Sequence, residues 1–234
     1  MAEAYTVVAL SPLRKVIAAR MTEATRTIPH FRLVADLEID ALLAWRAQLN
    51  VEHPDNKVSI NDCLIKACAS ALMGQPTVNI QLIGEEIHQY HQADISVVMA
   101  VEGGLLTPVV RGADRKGVLD IATEVKAFAV RAAGGRLRLD EMLGGSFSIS
   151  NLGGYGVEQF DAIINLPQCA ILAVGRAKAA MTVDERATAR IATLLRVTLS
   201  LDHRAIDGAT GAAFLATLRQ TLQHPEGLLS ESPK

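Results

Sequence analysis

The chain has 234 residues, half of them apolar, enough to bury a sizeable core in one large domain or two small ones. A formal net charge of −2 and an aromatic content of 4% offer neither the basic surface nor the stacking platforms of a nucleic-acid binder. No apolar run approaches the roughly 18 residues that span a bilayer, and the N-terminus lacks the apolar core of a signal peptide.

Cys63, Cys68 and Cys169 cannot all pair and form no CxxC, so they read as reduced, buried thiols of a soluble, cytosolic-type protein. Residues 1–9 read as an N-terminal arm. Ser11-Pro12 then opens a helix, with Ser11 at the cap and Pro12 in the first turn. Leu13, Val16, Ile17, Met21 and Ala24 mark its expected buried face, and Pro29 stops it. FRLVADLEI (31–39) alternates as a half-exposed strand with Phe31, Leu33, Ala35, Leu37 and Ile39 on one face. Asp40 is the expected cap of a helix through Leu49, and Ser59 that of a second helix with a wide apolar stripe ending at Gly74.

Short strands are expected around 78–83, 87–91 and 93–101, with turns at Gly84-Glu85-Glu86 and Gly103-Gly104. A long amphipathic helix covers 118–133. The last third reads mostly as strand: 146–150, 161–165, 169–175 and 189–201. No linker or repeat divides the chain, so 1–234 reads as one mixed α/β (α+β) domain, helices covering a largely antiparallel sheet.

The stretch LSLDHRAIDGATGAAFL (199–215) is a strand end, a polar turn and a helix start. A histidine in such a junction, His203, is a candidate general base. It also reads as a surface histidine, or as one of two metal ligands with Asp207, although no third ligand stands nearby. Asp207 before Gly208 is equally a good helix N-cap. In SFSISNLGGYG (146–156), Ser150 is the strand serine nearest a glycine-rich turn, where a hydroxyl reaches a ligand or the glycines simply supply backbone freedom. The turn is not GxGxxG and Ser150 is not in GxSxG. His88 and His91 point to opposite faces of a strand, which disfavours a shared metal. His30, after Pro29, reads as a cleft residue or a solvated junction residue, and Arg14, Lys15 and Arg20 as a phosphate contact or, more commonly for such a run, a solvated face.

Four stretches occur in order: RKVIAARM…IPHF, GGLLTPVV, SFSISNLGGYGVEQFDAIINLPQCAILAVG and DHRAIDG. Together they resemble the catalytic domain of the dihydrolipoyl acyltransferase (E2) components of 2-oxo acid dehydrogenase complexes, from about Leu10 to Leu228. The resemblance implies a chloramphenicol-acetyltransferase-like fold, a homotrimer that builds a 24-mer cube or a larger shell, and an active site between subunits. It matches His203 to the family's catalytic histidine, Asp207 to the aspartate of its motif and Ser150 to the hydroxyl that stabilises the tetrahedral intermediate. Ser150, Asn151 and Gly175 then lie along the coenzyme A channel, with Arg46 and Ser59 as further contacts. The implied substrates are coenzyme A and a lipoyl group on a separate domain or chain, with no metal; the implied partners are that lipoyl domain and the E1 and E3 components.

The chain departs from the family at Leu166-Pro167, where two prolines are common, and at Ala100, where some members carry an acid. It contains no lipoyl or subunit-binding domain and reads as an excised core or a natural single-domain relative. Three functions are compatible with these residues: acyl transfer, closest to the acetyl type, between a dihydrolipoyl carrier and coenzyme A; acylation of a free small molecule; and a silent scaffold. The expected compartment is the cytoplasm, or the mitochondrial matrix in a eukaryote.

Overall fold

The computed structural model describes residues 4–101, 104–183 and 187–229. The expected turn at Gly103 and the first residues of the N-terminal arm lie outside them. In chain order the elements are α1 (Pro12–Thr27), β1 (His30–Glu38), α2 (Asp40–Glu52), α3 (Ile60–Gly74), β2 (Ile80–Ile83), β3 (Glu86–Gln89), β4 (Ile95–Val97), β5 (Met99–Val101), β6 (Gly104–Leu106), β7 (Val109–Val110), α4 (Val118–Ala133), β8 (Phe147–Asn151), β9 (Ala170–Val183), β10 (Ala189–Asp202) and α5 (Gly208–Gln223).

Six strands form one mixed sheet in the order β1-β10-β9-β8-β4-β7. β10 pairs antiparallel with both β1 and β9, β8 lies parallel between β9 and β4, and β7 closes antiparallel on β4. The alternation read from the sequence holds: Leu37 in β1, Val197, Leu199 and Leu201 in β10, Leu172 and Val174 in β9 and Phe147 and Ile149 in β8 share one buried cluster. Against that face pack α3, central between α4 and α5, and α5 itself, which lies over β1. Phe214 of α5 meets Phe147 of β8 with ring centroids 5.4 Å apart, tilted as aromatic pairs prefer. No helix among the described residues is long and apolar enough to cross a membrane.

The second face of the sheet carries a smaller cluster: Ile171 and Ala173 of β9 against Ala24 and Ile28 at the end of α1, and Ala162 and Ile164. Here three expectations are corrected. Residues 161–165 form no strand, because no neighbour supplies a ladder partner; the segment instead lays Ala162 and Ile164 over β9 as a lid. Of the expected buried face of α1, only Ala24 is buried, and Val16 is 58% exposed, since most of the helix runs beyond the edge of its own chain's core. Asp40 does not cap α2: Ile39 occupies that position, and the Asp40 carboxylate accepts from the backbone N–H and the hydroxyl of Thr193 on β10, both at 2.8 Å. A carboxylate that meets a strand edge with two donors leaves the helix start uncapped.

The other caps are as read. Ser11 accepts from the Arg14 N–H, and Ser59 and Asp62 close a reciprocal capping box on α3.

Gly175 is where the two layers touch most closely. A Cβ there would lie 2.0 Å from the Glu158 carbonyl oxygen, because the Val157–Glu158 segment crosses β9 and is held by the Arg176 N–H donating to the Val157 carbonyl at 2.7 Å. Gly175→Ala is therefore expected to lower unfolding stability by about 1–3 kcal/mol, the usual range for overpacking. Urea unfolding of the two proteins measures it, and unchanged stability would contradict the close approach.

Candidate active site

The turn after β10 is held by its own charges. Asp202, 1% exposed, accepts from the backbone N–H of Arg204 at 3.0 Å and from the Arg204 guanidinium in a two-pronged pair of 2.9 and 2.6 Å. His203, between them, is pushed outward. Its backbone N–H donates to the Pro29 carbonyl at 3.2 Å, and its ring packs on Phe31 with centroids 4.4 Å apart. Neither ring nitrogen has a hydrogen-bond partner among the described residues, and the side chain is exposed.

Asp207 is a helix cap. Its carboxylate accepts from the Thr210 N–H at 2.8 Å. That backbone bond, then the Thr210 side chain and, last, the nearby His203, hold its pKa below the ordinary 3.8. It therefore stays charged at neutral pH and fixes the start of α5.

Ser150 stands half-buried near the end of β8, paired with Ala173, and its hydroxyl makes no hydrogen bond within the described residues. Asn151 follows on the opposite side of the strand. It accepts from the Gly153 N–H at 2.9 Å and donates to Asn61 at 3.3 Å, so it ties the glycine-rich turn to the start of α3. Both asparagines line a groove of about 680 Å³, with Met99 of β5, Val125 and Ala129 of α4 and Tyr155 of the turn.

The remaining candidates are not among the residues that line this groove. Arg46 donates through Nη1 to the Val58 carbonyl at 3.1 Å, and its Nε is buried without a partner among the described residues. The Ser59 hydroxyl is used within the capping box, donating to Asp62 and accepting from its N–H. Gly175 is buried under Glu158 and is not among the residues that line this groove.

One chain does not bring His203 and Ser150 together. Ser150 is level with Ala173 of β9 and hence with Thr198 of β10, whereas His203 follows Asp202, four residues further along. With strands about 4.8 Å apart and about 3.3 Å per residue, Ser150 and Asp202 are separated by about 16 Å. No cysteine offers an alternative nucleophile: burial raises all three thiols, Cys63 and Cys169 to about 12. Among the described residues no cluster of three metal-ligating side chains occurs, so His203 and Asp207 have no third ligand.

Three features here have no motif in the sequence: Asp202 as a turn anchor, the Phe31 ring on His203, and a buried chain in which Ser148 donates to Gln168 at 2.5 Å and Gln168 donates to Ser96 at 3.0 Å. The adjacency of an acid and an arginine on either side of His203 was the available signal for the first. The others depend on contacts between distant segments.

The family model for 2-oxoacid dehydrogenases acyltransferase (catalytic domain) matches residues 2–230. The chain belongs to this family. It is 44% identical over 225 residues to the dihydrolipoyllysine-residue acetyltransferase component of the pyruvate dehydrogenase complex of Zymomonas mobilis, covering 95% of this chain and 51% of that relative. The chain thus spans about half the length of the curated relatives it matches. Among solved structures, it superposes with a TM-score of 0.92 and 30% identity on the Azotobacter vinelandii dihydrolipoamide acetyltransferase, determined in a study of the role of a serine, a histidine and an asparagine in the catalytic mechanism. The match covers 97% of this chain and 95% of that one, and the figures are the same for the cubic core of the pyruvate dehydrogenase multienzyme complex. A chloramphenicol acetyltransferase shares the fold at a TM-score of 0.55 and 12% identity, covering 93% of this chain and 99% of that one.

The capping role of Asp207 has a directional test. A carboxylate with a depressed folded pKa contributes stability above its unfolded pKa and loses it as pH falls through the folded value. Asp207→Ala should open the first turn of α5 at every pH, Asp207→Asn should largely preserve it, and in the wild type it should open only below about pH 4. Amide hydrogen exchange over residues 208–211, corrected for intrinsic rates, measures this; equal protection in the alanine variant would rule the cap unimportant.

Proposed function

We propose that this chain is an acyltransferase catalytic domain that moves an acetyl group between a dihydrolipoyl thiol and coenzyme A, with His203 as general base and Ser150 as oxyanion donor. The observation that carries the reading is which polar groups are left unengaged. Asp202, Asp207, Asn151 and Ser59 all have their oxygens committed to local bonds, whereas the His203 imidazole and the Ser150 hydroxyl have none among the described residues. These are the two groups that thioester exchange requires, and the related Azotobacter enzyme was studied for a serine and a histidine in its mechanism.

A free thiol is mostly protonated near neutral pH. An imidazole nitrogen of His203 takes that proton as sulfur attacks the thioester carbonyl, and returns it to the sulfur that leaves, so the histidine is regenerated each turn. Such proton transfer typically contributes about 10²–10⁴-fold. Ser150 donates to the oxygen that becomes negative between attack and departure, where one donor is worth on the order of 10²–10³ in rate. Asp207 fixes the turn and moves no proton.

Coenzyme A fits the groove beside Asn151, whose largely apolar walls suit the pantetheine arm and whose amides suit its peptide groups. Arg46, with its unpartnered Nε, supplies positive charge nearby, while Ser59 and Gly175 shape the backbone behind it. The separation of about 16 Å between Ser150 and the end of β10 supports a site completed by a neighbouring copy, in a cyclic trimer. The exposed apolar residues Val16, Met181 and Ile191 support burial by other copies. A cubic assembly of such trimers, a lipoyl domain delivering the acetyl group and E1 and E3 partners complete the reading, with the cytoplasm or mitochondrial matrix as its setting.

Acetyl transfer from acetyl-coenzyme A to free dihydrolipoamide tests the function directly, with alcohols and amines as competing acceptors. Turnover with dihydrolipoamide is expected; turnover only with the others, or none at all, refutes it. His203→Ala should lower kcat by at least about 10²-fold while the assembly stays intact. Ser150→Ala should lower kcat far more than it raises the coenzyme A KM, and an effect confined to KM would make Ser150 a binding residue.

The shared site is tested by mixing His203→Ala with Ser150→Ala chains under conditions that exchange subunits. Mixed trimers should recover activity. Silence despite demonstrated exchange, or an active monomer by light scattering, would exclude it.

A further inference from the structure

His30 is a titratable side chain to which the proposed function gives no task. Its ring is half-buried where β1 begins, with both nitrogens engaged: Nδ1 lies 3.0 Å from the Ile28 carbonyl oxygen, and Nε2 accepts from the Ile164 backbone N–H at 3.1 Å. A backbone N–H only donates and a carbonyl only accepts. Nε2 is therefore unprotonated, and Nδ1 carries the hydrogen. The two bonds define one neutral tautomer.

The partners explain why that matters. Ile164 is 0% exposed, and among the described residues its N–H has no other acceptor, so loss of the imidazole strands a buried donor. The lid segment that contains Ile164 is also tied to β1 by the Arg32–Asp161 ion pair at 3.0 Å, whose partners are both nearly half exposed, so that solvent weakens it. The residues flanking His30 hold the base: the Pro29 carbonyl accepts the His203 N–H, and the Phe31 ring packs on the His203 ring. His30 itself points away from His203, since alternation puts it on the face opposite Phe31. It cannot relay a proton to it.

We propose that His30 is a positioning residue for His203: in its Nδ1–H form it pins the lid to the start of β1 and so fixes the Pro29 carbonyl and Phe31 ring that orient the imidazole. This rests on His203 being the general base, and the test separates the two. Nitrogen-15 spectra of histidine-labelled wild-type assembly, by magic-angle spinning, should show His30 protonated on Nδ1 alone at neutral pH. Protonation on Nε2 overturns the proposal, whatever the enzyme does.

Side-chain replacements then read the function. Glutamine places an acceptor near the Nε2 position, whereas asparagine offers a donor toward Ile28 and no acceptor for Ile164. His30→Ala and His30→Asn should each lower kcat by about 10-fold to 100-fold with the coenzyme A KM nearly unchanged, because a misplaced base costs rate rather than binding. His30→Gln should recover most of the loss. Wild-type kcat in all three variants, or equal losses in all three, overturns the proposal.

Amide exchange supplies a readout independent of activity. In His30→Ala, protection should fall at Ile164 and at His203 together; loss at Ile164 with His203 still protected reduces His30 to a structural latch and overturns its positioning role. If the wild type transfers no acyl group, the functional reading fails, while the tautomer and the coupled exchange still decide whether His30 holds His203.

Discussion

The register of β9 between β8 and β10 is the constraint on which the rest depends. It aligns Ser150 with Ala173 and Thr198, and the antiparallel run of β10 then carries the chain on to Asp202 before it turns. Two groups suited to one reaction are thereby fixed at different levels of one rigid sheet. Side-chain motion does not bridge that gap, because strands locked by ladder hydrogen bonds do not slide without exchanging every buried residue for an exposed one. Within a single copy, Ser150 and the turn that carries His203 therefore stand apart.

Around this sheet the two layers do different work. The large cluster under α3, α4 and α5 supplies most of the buried apolar surface and makes the sheet stiff. The small cluster on the other face is a lid of irregular chain held by a few specific contacts: the tight crossing at Gly175, the Arg176 N–H on Val157, and the Ile164 N–H on His30. A thin layer of this kind transmits the loss of one contact to its neighbours more readily than a closed core does. The turn that carries His203 abuts its edge, through the Pro29 carbonyl and the Phe31 ring.

Polar groups near the site divide by whether they are satisfied. Asp202 and Arg204 saturate each other, Asp207 is spent on the first amides of α5, and Ser59 on those of α3. Each such bond removes a group from chemistry and adds order to the backbone. The His203 imidazole and the Ser150 hydroxyl take part in no such bond among the described residues, and neither do the buried hydroxyls of Thr198 and Ser200 on β10. The pairing of a rigid, satisfied surround with a few unengaged donors and acceptors is what electrostatic preorganisation requires.

Much of this was legible in the residues alone. Alternation in β1 and β10, the caps at Ser11, Ser59 and Asp207, and the junction around His203 are local patterns, set by side-chain periodicity and by the hydrogen-bonding capacity of single residues. Sequence motifs also sufficed for the family and for the candidates His203 and Ser150. What periodicity could not decide was anything settled between distant segments. The apolar run at 161–165 looks like a strand, yet whether a strand forms depends on a free edge beside it, and here the sheet offered a face instead. Asp40 has the chemistry of a cap, but Thr193 competes for its carboxylate from 153 residues away. The apolar stripe of α1 has the periodicity of a buried face yet is mostly not buried in its own chain, because periodicity reports which side is apolar, not what covers it. For His30, sequence showed an ionisable ring after a proline; only the tertiary structure supplied the carbonyl on one side and the buried amide on the other that determine which nitrogen holds its proton.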